Sequence, residues 1–186
     1  IDFFYVNSYH LTTEYVDNYS SPFDIKKVPK DMERFSKLDF DGQLKFMDLI
    51  RPNVSFDFLG GMFCSVFRKK NWDNHQHILS EDALQSKDTF SHFDNTFPHL
   101  KIFASAFSNS NAYFNSLPMN ICLTGAREWA PMECLIRSFR LIEALDEYKE
   151  NGLPILQYLY CRNFALSNYL PNIIYMLLNK EISGYK

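Results

Sequence analysis

The alternation of apolar and polar positions divides the chain into a first part with strands and a second part with helices. Residues 3–9 alternate and are rich in aromatic side chains, which predicts a strand. Residues 62–67 form a short apolar run after a glycine pair, which predicts a second, buried strand. Residues 112–116 and 119–123 predict two more strands, joined as a hairpin-like return at Pro118. The first part is therefore predicted to contain a mixed sheet.

Apolar residues at spacings of three and four predict helices elsewhere. Residues 31–38 and 44–50 fit two short helices that are broken near Gly42. Ser80 is placed to cap a short helix, and Pro98 suits the first turn of a buried one. After Pro131 the spacing predicts only helices, over residues 132–145, 155–167 and 172–180, and the first of them stops at Asn151 and Gly152.

This pattern predicts an α/β fold for residues 1–130 and a helical extension for residues 131–186. Residues 11–30 are polar and rich in turn formers, so they predict a surface loop or a mobile flap over a cleft. The chain opens on a strand-like run without an initiator Met, which predicts that a further segment precedes it. We find neither a signal-peptide pattern nor an uncharged apolar stretch of membrane-spanning length in the sequence.

Composition narrows the classes of function. A hydrophobic fraction of 46% is enough for one sizeable core, and a net charge of −3 gives no electrostatic footprint for nucleic acid. The cysteines are widely spaced in apolar surroundings and form no CxxC pair, which is typical of reduced core residues and predicts a cytoplasmic location. They are Cys64, Cys122, Cys134 and Cys161.

Three segments carry candidate chemistry. In the first, Gly60 and Gly61 allow a positive φ and close approach of a ligand to the backbone, and Arg68 and Trp72 follow at a polar rim. The alternative is a plain turn before a core strand. In the second segment, Asp94 and His99 flank the opening turn of the helix at Pro98, where a carboxylate or an imidazole could act as a general base. The alternatives are an N-cap and a hydrogen-bonded core histidine.

The third segment follows the strand at residues 119–123. Gly125 turns the chain there and presents Arg127, Glu128 and Trp129 together. Sugars are bound in this way, with an aromatic face against the ring and charged groups on the hydroxyls. The alternative is a Trp that closes the core beside a surface ion pair.

Two further patterns resemble metal ligands. Asp39 and Asp41 form an Asp-x-Asp, although an N-cap and a turn before the next helix explain them more simply. His75 and His77 would share one face of a strand, but a solvated turn is the simpler interpretation of their polar context. We therefore assign no metal ligand in this chain.

The glycine segment FLGGMFCSVFRKKNW, the segment FDNTFPHL and the apolar helix after it resemble the acceptor-binding half of family-2-like nucleotide-sugar glycosyltransferases with the GT-A fold. The resemblance covers about residues 3–129 and is closest to the abequosyltransferase-like group that builds bacterial O-antigen and capsule glycans. It implies inverting transfer from a nucleotide-sugar donor to a saccharide acceptor. It also implies a base near Asp94 and His99, although the acidic pair that the family often has there is missing.

The resemblance further implies a divalent metal, Mg²⁺ or Mn²⁺, bound mainly by a nucleotide-binding half that would precede this chain. The C-terminal helices are rich in Tyr, Ile and Leu, which favours either a packed subdomain or contact with the inner face of a membrane that holds a lipid-linked acceptor. Two other classes of function stay open: a non-catalytic helical interaction module, and a metal-dependent hydrolase that uses His75 and His77.

Overall fold

The computed structural model describes residues 1–12, 26, 29–88, 90–124 and 132–183. Within these residues four strands form one mixed sheet in the spatial order β2-β4-β1-β3. Its central strands, β1 and β4, are parallel, and each has an antiparallel neighbour at the edge. The strands are β1 (Phe3–Thr12), β2 (Gly42–Lys45), β3 (Ser65–Phe67) and β4 (Asn111–Thr124). The predicted α/β class with a mixed sheet is confirmed.

Helices make up much of the rest of the described residues. They are α1 (Lys69–His75), α2 (Glu81–Gln85), α3 (Phe93–Thr96), α4 (Pro98–Phe107), α5 (Glu133–Leu135), α6 (Leu141–Glu150), α7 (Ile155–Leu166), α8 (Tyr169–Leu178) and α9 (Lys180–Ser183). A π-helical turn, Ile136–Arg140, joins α5 to α6. Three predicted helix ends are confirmed. The Ser80 side chain caps α2 by accepting a hydrogen bond from the Ala83 N–H, and Pro98 is the first residue of α4. Gly152 has a φ of 103° just after α6.

Phenylalanines build the core between the sheet and the helices. Phe3 on β1 is fully buried, and its ring packs edge-on against Phe46, Phe103 and Phe107 at centroid distances of 4.9, 5.2 and 5.4 Å. The opposite face of the sheet is open within the described residues. There Phe4 and Val66 are register partners, and they are 40% and 57% exposed.

The predicted helices at 31–38 and 44–50 are wrong. Residues 31–41 contain only an isolated bridge between Arg34 and Tyr9, and β2 followed by a one-turn 3-10 helix (Phe46–Leu49) replaces the second helix. The apolar spacing that suggested a helix over 44–50 arises because the 3-10 turn buries Phe46, Met47 and Leu49. The residues just before this turn form β2, which pairs antiparallel with β4.

Two neighbouring predictions also fail. The run 62–67 is a 3-10 turn (Met62–Cys64) and a three-residue strand at the sheet edge, so it is not a buried strand. His75 lies in α1 and His77 in the 3-10 turn Gln76–Ile78 rather than in an irregular loop. Both segments are too short for periodicity to separate helix from strand.

The predicted hairpin at Pro118 is instead one continuous strand. Both halves of β4 pair parallel with β1, and the register jumps from Val6 opposite Asn115 to Ser8 opposite Asn120. Residues 116–119 thus bulge out of the ladder. Asn7, which is fully buried, compensates: its Nδ2 donates to the Ser36 and Ser116 carbonyls, and its Oδ1 accepts from the Ser36 N–H, all at 2.8–2.9 Å.

We expect Asn7→Ala to lower the free energy of unfolding by on the order of 3 kcal/mol, because it leaves the buried N–H and carbonyl of Ser36 and the half-buried Ser116 carbonyl without these partners. Asn115→Ala is the matched control. The Asn115 side chain also bonds the bulge, at Leu117 O, but that hydrogen bond is exposed. Urea unfolding measures both variants, and equal losses would contradict the role assigned to Asn7.

Candidate functional site

The segment Asp57 to Gly61, here called the glycine turn, has the most unusual backbone among the described residues. Phe58 and Leu59 both have a positive φ, 52° and 72°, although neither is glycine. Both side chains are fully buried. The left-handed conformation costs about 1–2 kcal/mol for a residue with a Cβ, so their burial must offset it. Such strain is typical of positions where the backbone geometry itself matters.

The two glycines serve close packing and do not supply the positive φ that the sequence suggested. Gly61 has a φ of −80°. A Cβ on Gly60 would lie 3.0 Å from the Asp57 carbonyl oxygen and 3.2 Å from the Phe97 ring. A Cβ on Gly61 would lie 2.5 Å from the Phe63 ring and 3.0 Å from the Asp57 carboxylate. The glycines therefore let two aromatic rings lie directly on the backbone of the turn.

Buried side chains from three elements hold this segment in place. The Tyr5 hydroxyl donates to the Val54 carbonyl at 2.8 Å, and the Tyr148 hydroxyl donates to the Phe58 carbonyl at 3.2 Å. His99 Nε2 lies 3.0 Å from the Gly60 carbonyl. That oxygen can only accept, so Nε2 carries the hydrogen. Burial lowers the pKa of His99 to about 4, and the ring is therefore neutral at pH 7.

Aromatic rings gather beside the glycine turn. His10 stacks on Phe35 at 4.6 Å, Phe35 stacks on Phe56 at 4.8 Å, and Phe63 meets Phe35 edge-on at 5.3 Å. These four residues form the aromatic cluster. It lies along the carboxyl-terminal half of the parallel pair, since His10 pairs with Cys122 and the Asn120 side chain donates to the Phe63 carbonyl at 2.7 Å. The Phe63 side chain is 39% exposed.

A cavity of about 290 Å³ opens on the other side of Phe56, lined by Phe56, Arg137, Leu141, Phe164, Ala165 and Asn168. The Arg137 guanidinium lies 5.3 Å from the centre of the Phe56 ring, within cation–π range. Phe56 thus joins the aromatic cluster to the cavity, and the next residue, Asp57, begins the glycine turn.

Asp57 is a candidate residue that the sequence did not reveal. It is half-buried, and its carboxylate accepts hydrogen bonds from the Ser55 hydroxyl and, at 2.7 Å, from the Gly61 N–H. Burial raises the pKa of this carboxyl, and the two hydrogen bonds and the Arg137 charge partly offset the shift. A raised pKa suits a general base. The only signal in the sequence was an Asp shortly before a glycine pair.

Of the two predicted bases, Asp94 is enclosed. It is 1% exposed, its two oxygens lie 3.0 and 3.1 Å from Lys101 Nζ, and it accepts from the Ser80 N–H at 2.7 Å. It therefore ties α3 to α4 and to the start of α2. The structure does bring His99 against Gly60, so the second predicted segment and the glycine turn do meet.

The other predicted acceptor residues are scattered. Arg68 pairs with Asp2 at 2.6 Å, at the amino end of β1 and away from the aromatic cluster. Trp72 stacks on Phe67 at 5.3 Å and packs, partly buried, against the core. The predicted residues Arg127, Glu128 and Trp129, in the segment that begins at Gly125, lie outside the described residues.

Three residues from the patterns that resembled metal sites form hydrogen bonds or ion pairs within the protein. Asp39 pairs with Arg34 at 2.5 Å, which lowers the pKa of Asp39, and Asp41 accepts from the Ser116 N–H of the β4 bulge. The β2 strand follows them, so they do not cap a helix. His75 Nδ1 lies 2.7 Å from the Asn71 carbonyl oxygen. Over the described ranges, no three His, Cys, Asp or Glu residues gather closely enough to hold a metal ion.

Comparisons of this chain with protein-family models, with curated proteins and with solved structures gave no match. The residues and their geometry therefore carry the functional argument alone.

We expect acid to destabilise the fold through His99. The unfolded imidazole binds a proton below about pH 6.5 and the folded one only near pH 4, so stability falls as the pH drops through this window, by on the order of 3 kcal/mol in all. His99→Gln can still donate to the Gly60 carbonyl but does not titrate. Denaturant unfolding at several pH values measures the difference between the two proteins, and a pH-independent difference would contradict the assignment.

Proposed function

We propose that this chain is the acceptor-binding part of a GT-A-like glycosyltransferase, with residues 1–130 forming the sugar site and residues 131–186 a helical extension. In this proposal it acts in surface polysaccharide synthesis and transfers a sugar, with inversion, from a nucleotide-sugar donor to a saccharide acceptor. The observation that carries the proposal is the strained glycine turn against the partly exposed ring of Phe63, with the Asp57 carboxylate beside it.

The position of the glycine turn and the aromatic cluster supports a role in ligand binding. Ligands of open α/β sheets bind outside the carboxyl ends of the parallel strands, and the aromatic cluster lies along that half of β1 and β4. An exposed aromatic face takes the apolar side of a pyranose ring, and a nearby carboxylate takes its hydroxyls. The predicted Arg127, Glu128 and Trp129 follow the end of β4 and belong to the same proposal.

The donor would bind elsewhere. Parallel strands are ordinarily covered on both faces, and the open face at Phe4 and Val66 fits the proposed nucleotide-binding half. A divalent metal, Mg²⁺ or Mn²⁺, would neutralise the leaving diphosphate there. Asp39 and Asp41 do not fit this metal, since Arg34 and the Ser116 N–H engage them.

The chemistry needs one base. It removes the proton of the acceptor hydroxyl as that oxygen attacks the anomeric carbon and the nucleoside diphosphate departs. We propose Asp57 for this role, because it is half-buried, has a raised pKa and lies against Gly61 and Phe63. Asp94 would first have to leave Lys101, and the neutral His99 would have to leave Gly60, so these earlier candidates rank behind it.

Peripheral membrane contact through α7 and α8 is the second part of the proposal. Half of the large apolar side chains that are exposed in the described residues lie on these two helices. Within the part of the chain that the structure describes, no helix is long and apolar enough to cross a membrane. The two helices would therefore lie on the membrane surface, at the cytoplasmic side in this proposal.

Sugar binding tests the first part. We expect mannose, galactose or N-acetylglucosamine to give saturation-transfer NMR signals with this chain, and Phe63→Ala to weaken them by about threefold or more, as loss of one aromatic contact predicts. Phe4→Ala is the matched control, because Phe4 is 40% exposed in the amino-terminal half of β1, opposite Val66 and Tyr113, and Phe63 is 39% exposed beside the carboxyl-terminal half. Equal effects of the two variants would rule out a sugar site at the aromatic cluster.

Kinetics of the complete enzyme, with its donor-binding half, test the base. We expect Asp57→Asn to lower kcat by about 10²-fold or more at unchanged thermal stability, as removal of a general base does. Asp94→Asn should instead lower stability, because it leaves Lys101 without its buried partner. A large loss of kcat in a stable Asp94 variant would return the role to Asp94.

A further inference from the structure

The cavity beside Phe56 has one strong polar group, the Arg137 guanidinium. Glu133 Oε1 accepts from Arg137 Nε at 3.0 Å and from Nη2 at 2.6 Å. Within the residues that the structure describes, Nη1 makes no hydrogen bond. The side chain is 41% exposed, so the cavity offers an incoming anion a cation whose donors are only partly used.

The surroundings of this cation are apolar. Phe164 lines the cavity and is also 39% exposed on α7, so the cavity wall continues into the exposed apolar face of α7 and α8. Leu156 and Leu178 on that face are 79% and 78% exposed. Residues 155–179 contain a single charged side chain, Arg162, and no acidic one, although the whole chain has a net charge of −3. The face therefore fits an apolar layer and does not repel head groups that carry a phosphate.

We propose that the cavity between Arg137, Phe56 and Phe164 binds the phosphate of a bilayer phospholipid whose acyl chains lie against α7. Arg137 Nη1 donates to a phosphate oxygen, and Asn168 at the rim of the cavity supplies a polar neighbour. Glu133 competes for the guanidinium and limits the affinity. This inference rests on the proposed membrane contact and adds a lipid-binding site, separate from the sugar site, to the proposed function.

Soluble probes can measure the contributions of the phosphate and of the alkyl chain to binding separately. In calorimetric titrations below the micelle concentration, we expect octyl phosphate to bind more tightly than octanol or inorganic phosphate. Arg137→Gln should weaken octyl phosphate by about tenfold, as loss of a charged hydrogen bond predicts. Glu133→Gln should strengthen it, because it frees the guanidinium. Arg162→Gln is the control outside the cavity and should leave this binding unchanged.

The other outcomes overturn the inference. Equal binding of octanol would mean an apolar patch only, and equal binding of inorganic phosphate would mean a site for free phosphate. If Arg137→Gln lowers the melting temperature, Arg137→Lys and Glu133→Gln decide the matter, and unchanged octyl phosphate binding in both removes the site.

Flotation with phosphatidylglycerol and phosphatidylcholine vesicles separates this inference from the membrane proposal. We expect Arg137→Gln to reduce binding to both kinds of vesicle, because both carry the phosphate. Binding that persists in Arg137→Gln but is lost in Leu156→Asn would keep the membrane contact and reject the lipid site. Loss of binding in neither variant would reject both.

Discussion

Three hydrogen bonds to one short segment, two of them buried, are the constraint on which the candidate site depends. Tyr5 from β1, Tyr148 from α6 and His99 from α4 each donate to a carbonyl between Val54 and Gly60. Without these donors, the buried Val54 and Phe58 carbonyls would have no partners, and that loss costs more than the strain at Phe58 and Leu59. The segment can therefore keep its strained backbone only while the sheet and both helices are in place. The site and the core are one cooperative structure.

The bulge opposite Asn7 has a comparable role along the sheet. Without it, the two halves of β4 could not both pair with β1, and the parallel pair would end near Val6 and Asn115. The second half brings His10 against Phe35 and Asn120 against the Phe63 backbone. A buried amide with four hydrogen bonds, including one from the Ser8 N–H, thus extends the sheet to the aromatic cluster.

Sequence patterns predicted best the elements whose ends carry local signals. Ser80, Pro98 and Gly152 act on their own backbone, and the helices that they begin or end were predicted correctly. The strands of the sheet were harder to predict from the sequence. β2 and β3 are short edge strands, and the sequence around Pro118 is locally typical of a turn. The sequence predicted a functional site at the glycine pair, but the reason for glycine at these positions lies in contacts with Phe97 and Phe63 that no local pattern encodes. The sequence did not single out Asp57 as a candidate, because its contacts with Ser55 and Gly61 are likewise invisible to a local pattern.

Arg137 connects the two proposed sites electrostatically. Burial raises the pKa of Asp57, the hydrogen bonds from Ser55 and Gly61 oppose this effect, and the Arg137 charge adds a smaller contribution in the same direction as those bonds. A phosphate at the guanidinium would neutralise part of that charge and raise the pKa of Asp57 further, which makes its carboxylate a stronger base. By linkage, protonation of Asp57 would in turn strengthen phosphate binding, because a neutral carboxyl competes less for the cation. In the proposed enzyme, contact with the lipid surface and proton abstraction at the sugar site would therefore be thermodynamically coupled through one side chain.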